Sequence, residues 1–420
     1  MRILHLSTND NRGGAATAAY RINGALNSLG VNSQMLVQNK YSDDPDVETT
    51  VTTTYKTITR EFRFLYDKLP LKLFYRDRAD TPFQVGKTGI DISGHEAVRE
   101  SDILHLHWIT HGFLSVGSLR KLAELDKPVV WTLHDQWPFT GGCIYSGDCE
   151  RYTDNCGRCP ALNSDRGKDL STKMWKRKQR AYRNLELTVV SPGSWLGKRA
   201  KCSSLLGKFD LEVIPNPIDT QVFKPAEQET ARDILNLPRD KRLVLFGADV
   251  PEAKLKGFSY VKKALKLLAT DLQKPEEEIE IVIFGTSHSE EMENNPFPTN
   301  FTGYLNDTYS LTLCYSAADI FVGPSLQEAF GQTFLESMAC RTPAVAFDYA
   351  GPREIIDHKR DGFLAQYRSA QSLAEGIQWT LKDEERLRKL GKKARDKAVS
   401  EYGFDTVGEQ YRQLYQNVLG

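Results

Sequence analysis

Short apolar runs alternate with longer stretches of helical periodicity along most of the 420 residues of the chain. The first repeat consists of an apolar run at 3–6, a polar loop that ends in Gly13 and Gly14, and an alanine-rich stretch at 15–29. A short apolar run that leads through a glycine loop into a helix is typical of a βαβ unit. Repetition of this unit predicts parallel sheets with helices on both faces. The alternation therefore favours the α/β class with doubly wound sheets.

The alternation is interrupted at a proline-rich turn that separates two series of predicted strands. Pro215 and Pro217 flank Asn216 in this turn, and a polar stretch at 223–239 precedes the next apolar run, at 243–247. A chain of 420 residues exceeds the usual size of one hydrophobic core, so two domains are expected. We predict an N-terminal Rossmann-like domain at 1–220, a C-terminal one at 221–395, and a last helix at 396–420 that packs back on the first domain.

Composition argues against several classes of protein. The 55 basic residues balance the 55 acidic ones, so no global charge favours nucleic acid as a partner. No run approaches the roughly 20 consecutive apolar residues that a membrane helix requires. The first apolar run is also too short for the core of a signal peptide. These features predict a cytoplasmic protein that does not span a membrane.

The most informative loop follows the predicted strand at 320–322. It leads into a helix that is expected to begin near Gly331, which places Glu328 in the loop and Glu336 within the helix. The first amides of a helix lack partners inside the helix and attract anions such as a diphosphate. Two carboxylates beside such an anion can accept hydrogen bonds from the hydroxyl groups of a sugar and of a ribose. The loop is therefore a candidate binding site for a sugar nucleotide.

The chain resembles the retaining glycosyltransferases of family 4, which have the GT-B fold. Glu328, seven intervening residues and Glu336 match the Glu-x7-Glu signature of that family. The resemblance covers nearly the whole chain, with further matches at 13–14, 131–135, 213–219, 301–305 and 317–319. It implies two Rossmann-like domains that face each other across a cleft, with the nucleotide-sugar donor bound mainly by the C-terminal domain.

The resemblance also implies roles for individual donor-side residues. Glu328 is expected to contact the hydroxyl groups of the donor sugar, Glu336 the ribose, and Lys256 the diphosphate, where its charge takes the place of a metal ion. Lys254 is a further candidate, because the family usually has an arginine in the loop at 247–249 and this chain has none. Alternatively, the two lysines only solvate a loop. The residues expected to bind the donor through the start of the helix are Ala329, Phe330, Gly331, Gln332 and Thr333.

Two features of the N-terminal domain are candidates for the same reaction. His134 follows a predicted strand. The resemblance implies that His134 is a catalytic residue that lies near the anomeric carbon, where it binds hydroxyl groups or transfers a proton. Gly13 and Gly14 are expected to face the donor phosphate, or else to serve only a tight turn. His105 and His107 share one face of a strand, and we interpret them as structural or acceptor-side residues.

Four of the seven cysteines lie in a loop at 141–160. They include one Cys-x-x-Cys pair, and four thiolates in a reducing compartment suit a tetrahedral structural zinc site. Reduced thiols and disulfides are the alternatives. In each case the loop is expected to stiffen the acceptor side rather than to catalyse. The four residues are Cys143, Cys149, Cys156 and Cys159.

Two further stretches combine basic and aromatic residues. The stretch at 173–183 has six basic residues and no acidic one, and a helix there would place Trp175 and Tyr182 among cations. Such a helix suits peripheral contact with an anionic membrane, as on the inner face of the plasma membrane, whereas a solvated basic face is the alternative. The stretch at 50–80 is interpreted as an insertion without an assigned structure.

Taken with the motifs, the resemblance implies a hexosyltransferase. The enzyme would move a sugar from a nucleoside diphosphate sugar to a hydroxyl group of a glycan or lipid-linked glycan, with retention of configuration and no catalytic metal. Cell-surface polysaccharide synthesis is the implied setting. Two alternatives stay open, a sugar-nucleotide epimerase on the same fold and a non-catalytic scaffold.

Overall fold

The chain forms two compact units, each built on one parallel sheet. The structure is a computed structural model that describes residues 1–75, 81–247, 254–288, 292, 295–305 and 307–420. The first unit consists of Met1–Pro217 together with Val407–Gly420, and the second consists of Ile218–Thr406. The chain therefore first passes from one unit to the other directly after Pro217, in the proline-rich turn.

The sheet of the first unit has seven strands in the order β3-β2-β1-β4-β5-β6-β7. The strands are β1 (Arg2–Asn9), β2 (Asn32–Asn39), β3 (Val47–Thr49), β4 (Ile103–Leu106), β5 (Val129–Thr132), β6 (Leu187–Ser191) and β7 (Asp210–Val213). Every side chain of β4 and β5 is buried, because both faces of a parallel sheet are covered. Such strands appear in the sequence as continuous apolar runs.

Six α-helices lie between the first and last strands of this sheet in the part of the unit that the structure describes. They are α1 (Gly14–Ser28), α2 (Thr54–Phe74), α3 (Glu96–Glu100), α4 (Val116–Ala123), α5 (Leu170–Ala181) and α6 (Ser194–Cys202). Helix α1 begins directly after β1, and its alanines at 16, 18, 19 and 25 are buried, which lets the helix lie close to the sheet.

The sheet of the second unit has six strands in the order β10-β9-β8-β11-β12-β13. The strands are β8 (Arg242–Gly247), β9 (Ile279–Phe284), β10 (Thr299–Gly303), β11 (Ile320–Gly323), β12 (Ala344–Phe347) and β13 (Gly362–Ala365). The helices are α7 (Gln228–Ile234), α8 (Phe258–Thr270), α9 (Pro275–Glu278), α10 (Thr308–Ala317), α11 (Gln332–Ala339), α12 (Ala350–Ile355), α13 (Ala370–Leu381) and α14 (Glu384–Tyr402).

Strand order reverses once in each sheet, between β1 and β4 in the first unit and between β8 and β11 in the second. Ligands of doubly wound sheets bind beyond the carboxyl ends of the strands at such a reversal. In the second unit a buried ion pair fixes the start of β11 next to β8. Arg232 lies 2.9 Å from Asp319, which also accepts a hydrogen bond of 2.7 Å from the backbone N–H of Leu243.

The last helix, α15 (Phe404–Leu419), belongs to the first unit from Val407 onward. Tyr411 and Tyr415 are buried in the same apolar cluster as Ile3 and Ile22. The segment predicted as one helix at 396–420 is divided, because α14 ends at Tyr402 and a new helix starts two residues later.

The interpretation of Trp175 and Tyr182 as aromatic residues at a membrane surface is wrong. Both are buried, and they are anchored by hydrogen bonds from Trp175 Nε1 to Ser204 Oγ and from the Tyr182 hydroxyl to the Pro138 carbonyl. Lys178 of the same helix is also fully buried. This face of α5 therefore packs into the unit, although its sequence is strongly basic.

The stretch at 50–80, which had no predicted structure, contains the 21-residue helix α2; residues 76–80 lie outside the described part. Within the described ranges, none of the helices combines the length and the apolar character needed to cross a membrane.

Candidate functional site

Two loops of the second unit bring Lys256 and Glu328 together. Lys256 follows β8 and Glu328 follows β11, so both residues lie at the reversal of strand order. Lys256 Nζ is 3.0 Å from Glu328 Oε2, and the two side chains are 47% and 21% exposed. The pair is therefore accessible to a ligand.

A glycine holds these two loops against each other. Gly257 has a φ of +70°, and a Cβ atom at this position would lie 1.9 Å from the carbonyl oxygen of Pro324. Only glycine fits this contact. The backbone N–H of Leu326 donates a hydrogen bond of 2.8 Å to the carbonyl oxygen of Leu255, which completes the connection.

The loop after β11 ends in the open N-terminus of helix α11. Gly331 precedes the helix with a φ of +110°, and because glycine has no side chain, no side-chain cap covers the first amides. Ala329 and Phe330 are buried, whereas Gln332 and Thr333 at the start of the helix are half-buried. Uncapped amides at a helix N-terminus are an established environment for anions, which suits a diphosphate.

Glu336 lies in the second turn of α11 and is buried. The hydroxyl group of Tyr315 donates a hydrogen bond of 2.9 Å to Glu336 Oε2. Burial and the neighbouring Glu336 carboxylate raise the pKa of Tyr315 well above its usual range, so the hydroxyl keeps its proton and acts as a donor. Glu336 is therefore held in one orientation. The side chain of Lys254 and the loop at 248–249 lie outside the described residues.

In the first unit, Gly13 and Gly14 connect β1 to α1. Gly13 has a φ of +93°, which favours glycine, whereas Gly14 begins the helix. A Cβ atom on either residue would meet no atom within 4 Å. The space beside this helix start is open, so packing inside the unit does not require glycine at position 14.

His134 is the end of a chain of buried hydrogen bonds that sequence analysis did not predict. His134 Nε2 lies 3.0 Å from His107 Nδ1, and His107 Nε2 lies 2.8 Å from His5 Nδ1. His5 Nε2 is 3.0 Å from Ser33 Oγ, and the Ser33 hydroxyl donates a hydrogen bond of 2.7 Å to Asn23 Oδ1. The chain connects β5, β4, β1, β2 and α1.

This connectivity determines where the protons lie. With the Asn23 oxygen turned toward Ser33, the serine oxygen accepts from His5 Nε2–H. His5 Nδ1 then accepts from His107 Nε2–H, and His107 Nδ1 accepts from His134 Nε2–H. Burial lowers the pKa of both His5 and His134 to about 3, so the rings are neutral near pH 7. His134 Nδ1 is left as an acceptor.

His105 takes part in a separate pair of hydrogen bonds. Its Nδ1 lies 2.7 Å from the hydroxyl of Tyr415, and its Nε2 lies 2.8 Å from Thr132 Oγ1. These contacts attach the last helix to the sheet and do not include His134. Of the two predicted roles of His105, structural or acceptor-side, the structural one agrees with its contacts, whereas His107 contacts the candidate catalytic histidine directly.

The loop that follows His134 carries the four cysteines around one small cavity. The cavity has a volume of about 20 Å³ and is lined by Cys143, Cys149, Cys156 and Cys159. Cys143 and Cys159 are buried, the other two are half-buried, and none forms a disulfide. Cysteines that are dispersed over 17 positions of the chain thus line one cavity.

Comparison with known proteins identifies the second unit. Residues 227–397 match the model of the family described as Glycosyl transferases group 1. This part of the chain is a group 1 glycosyl transferase domain. Lys256, Glu328 and Glu336 all lie within the transferase domain.

Two relatives agree with this identification, and one solved structure shares the fold. The alpha-maltose-1-phosphate synthase of Mycolicibacterium smegmatis is 27% identical over 222 residues, which are 50% of this chain and 57% of that protein. A glycosyltransferase of Methanocaldococcus jannaschii, described as uncharacterized, is 24% identical over 348 residues, or 78% of this chain and 85% of the relative. Sucrose-phosphate synthase from Thermosynechococcus elongatus superposes with a TM-score of 0.66 at 18% identity, covering 100% of this chain and 99% of that structure.

The two parallel sheets and the match to sucrose-phosphate synthase show the GT-B fold that the resemblance implied. Of the predicted site residues, the transferase domain brings Lys256 and Glu328 into contact and places Ala329 to Thr333 and Glu336 along one loop and helix. Tyr315 and Gly257 were missed. The lysine-glycine pair at 256–257 was a signal for the glycine, but no local pattern indicated Tyr315.

Proposed function

We propose that the chain is a retaining glycosyltransferase that transfers a hexosyl unit from a nucleoside diphosphate sugar to a hydroxyl group of an acceptor. The observation that carries this proposal is the Lys256–Glu328 pair beside the uncapped start of α11, at the reversal of strand order. A cation, a hydroxyl-binding carboxylate and the amides of a helix start are the groups that a sugar diphosphate requires.

Each donor-side group has a distinct role in this mechanism. The diphosphate binds at the amides of residues 329–333, and Lys256 offsets the negative charge that builds on the leaving nucleoside diphosphate. This charge compensation makes a catalytic metal ion unnecessary. Glu328 binds hydroxyl groups of the sugar, and Glu336, oriented by Tyr315, binds the ribose. Lys254 is a second candidate for the diphosphate.

The first unit contributes His134 and the glycine loop. With Nδ1 as an acceptor, His134 is suited to bind a sugar hydroxyl group, whereas its pKa of about 3 makes it a weak base for the acceptor proton. The open space beside Gly13 and Gly14 admits a phosphate group close to the backbone. Retention without a covalent nucleophile requires departure and attack on the same face of the sugar.

The Glu336→Ala variant tests this proposal. Loss of a bidentate partner for the ribose should weaken donor binding by about 1 to 3 kcal/mol, and transfer should fall accordingly. Product analysis by NMR on the wild-type enzyme should show the donor's anomeric configuration in the new glycosidic bond. Transfer by Glu336→Ala at the wild-type rate would contradict the donor site. A change of sugar stereochemistry without an acceptor would identify an epimerase instead.

We further propose that the acceptor is a glycan or lipid-linked glycan of cell-surface polysaccharide synthesis, and that the enzyme works in the cytoplasm at the inner face of the plasma membrane. The implied acceptor class supports this placement. Incorporation of labelled sugar into a lipid-extractable product by membrane fractions with added enzyme would test it. Incorporation only into water-soluble acceptors would contradict it.

The four-cysteine loop is proposed to hold one structural zinc ion. The supporting observation is that all four thiols line one cavity of about 20 Å³, and four cysteine sulfurs are a common ligand set for structural zinc. The ion would crosslink distant positions of the loop that follows His134. It would take no part in the chemistry. Cys143 and Cys159, the two buried thiols, would be among its ligands together with Cys149 and Cys156.

Elemental analysis of the purified protein tests the zinc site. About one zinc per chain is expected, and the Cys156→Ser and Cys159→Ser variants should lose it. Cys202→Ser is the matched control, because Cys202 is exposed and lies outside the cavity. Zinc-free protein in which the four loop cysteines are free thiols, or are paired in disulfides, would contradict the proposal.

A further inference from the structure

Helix α2 presents its apolar side chains to solvent. Tyr55 is 75% exposed, Phe62 68% and Phe74 76%. The exposed apolar residues recur every three or four positions, so they share one side of the helix, which we call the outer face. The outer face consists of Tyr55, Ile58, Phe62, Leu65, Tyr66, Leu69 and Leu73, with Phe74 at its end.

The opposite side of α2 attaches the helix to the first unit through polar contacts. The buried carboxylate of Asp67 accepts hydrogen bonds from the backbone N–H groups of Gly86, Lys87 and Thr88, at 2.9, 2.6 and 3.1 Å. Arg63 donates a hydrogen bond of 3.0 Å from Nε to the carbonyl oxygen of Gly112. Asp67 and Leu71 are the buried residues of the helix.

This arrangement is the reverse of an ordinary surface helix, which buries its apolar side and exposes its polar side. The polar contacts of Asp67 fix the orientation, so the helix cannot turn its outer face inward without losing them. A contiguous apolar surface of this extent on a folded protein marks a binding surface.

The charges around the outer face indicate what binds there. Helix α2 has five basic residues and two acidic ones, and one of the acids, Asp67, is buried. A groove of about 930 Å³ begins at the end of the outer face, between Leu73 and Phe74 and the basic side chains of Lys87, Arg166, Lys173 and Arg177. A surface that joins apolar and aromatic side chains to flanking cations matches the boundary of an anionic bilayer.

We propose that the outer face of α2 lies in the headgroup region of an anionic membrane, with the basic groove over the lipid phosphates. The inference deepens the proposed membrane location by naming the surface responsible, and it rests on that location alone rather than on the donor chemistry. The outer face of α2 takes the place of the stretch at 173–183 as the proposed membrane contact. Within that stretch, Trp175 and Tyr182 are buried, whereas Lys173 and Arg177 line the groove.

Vesicle flotation with the full chain tests the inference. The protein should float with vesicles that mix phosphatidylcholine and phosphatidylglycerol, and much less with phosphatidylcholine alone. A double variant, Phe62→Ser with Leu69→Ser, should lower the partition coefficient by about 100-fold, since each buried side chain is worth at least about tenfold. Both side chains are exposed, so the variant should fold normally.

Two exposed apolar residues of the second unit supply the matched control. Tyr309 is 73% exposed and Ile234 61%, and the Tyr309→Ser and Ile234→Ser double variant should float like the wild type. Failure of the wild type to float, or undiminished flotation of the α2 variant, would overturn the inference. Self-association that the α2 variant abolishes, without flotation, would overturn it in favour of an interface between copies.

A thermal-shift assay with nucleoside diphosphate sugars on the same proteins separates this inference from the proposed function. The α2 variant should keep the donor-induced shift of the wild type, because the outer face belongs to the first unit and contains no donor-side residue. Flotation without any donor response would leave the membrane surface supported and would count against the transferase reaction only.

Discussion

Lys256 Nζ lies 3.0 Å from Glu328 Oε2, so the two principal donor-side residues are paired with each other. Glu328 is half-buried and Lys256 is exposed, and both can change partners without unfolding the loops that hold them. In the proposed mechanism, the diphosphate takes the place of the carboxylate beside Lys256. Glu328 is then released to bind the sugar hydroxyl groups.

Replacement of Lys256 by alanine should weaken donor binding with little effect on stability. Loss of a charge-assisted hydrogen bond to the diphosphate corresponds to about 1.5 to 3 kcal/mol, or roughly a 10- to 150-fold higher Kd by calorimetry. Melting temperature should change little, because an exposed pair contributes about 1 kcal/mol or less. Lys263→Ala, an exposed lysine on α8, is the control. Equal donor affinities for the two variants would refute the role of Lys256.

The Gly14→Ala variant should fold normally but lose activity. The position is helical and its Cβ atom would meet no atom within 4 Å, so packing inside the unit does not oppose alanine. Alanine should even favour the helix by about 0.5 to 1 kcal/mol. If a donor phosphate approaches this backbone, the methyl group should raise the donor KM. An unchanged KM together with a higher melting temperature would show that the glycine serves only the turn.

The His107→Phe variant should lower turnover more than donor affinity. His107 does not face the donor in the proposed mechanism but holds His134 through a hydrogen bond of 3.0 Å. We expect kcat to fall roughly tenfold or more, because a displaced His134 loses about one hydrogen bond to the sugar in the transition state, with donor Kd nearly unchanged. His105→Phe is the control, because His105 bonds to Tyr415 and Thr132 instead. Parallel losses of kcat in both variants would indicate a merely structural effect.

Much of the fold could be predicted from the sequence, because buried parallel strands appear as apolar runs. The run at 243–247 lies within β8, and the predicted strand at 320–322 lies within β11. The start of α11 after Gly331 was also predictable, since glycine and the apolar stripe that follows it are local features.

Contacts that depend on strand order could not be predicted. His5 and His107 are about a hundred residues apart and meet because β1 and β4 are neighbours in the sheet. The orientation of α5 depends on Lys178, whose buried ammonium group donates a hydrogen bond of 3.1 Å to the Thr140 carbonyl. A basic sequence gives no sign of such burial. Helix α2 was not predicted as a helix although its apolar residues recur at helical spacing, and nothing in the sequence indicated that this face is exposed.

Stability should fall as the pH decreases below about 6.5. Burial lowers the pKa of His5 from 6.5 to about 3, so between these values the unfolded chain binds a proton that the folded chain does not. The stabilisation is present above pH 6.5 and is lost on acidification, by about 2 kcal/mol at pH 5 for His5 alone. His105 and His107, whose pKa values burial also lowers, act in the same direction.

Urea denaturation from pH 7.5 to 5 measures this effect. The free energy of unfolding should decrease steeply below pH 6.5 in the wild type and in His288→Gln, which replaces an exposed histidine. A free energy of unfolding that is constant down to pH 5 would show that His5, His105 and His107 are accessible to protons in the folded chain.

In the proposed mechanism, the reversal of strand order in the second unit binds a sugar nucleotide through Lys256, Glu328 and Glu336. The most direct measurement is a thermal-shift panel of nucleoside diphosphate sugars on the wild type and on Glu336→Ala. One donor should stabilise the wild type by about 2.7 kcal/mol at 100 times its Kd, and the variant should require a higher concentration for the same shift. No shift with any donor, or equal shifts in both proteins, would contradict the claim.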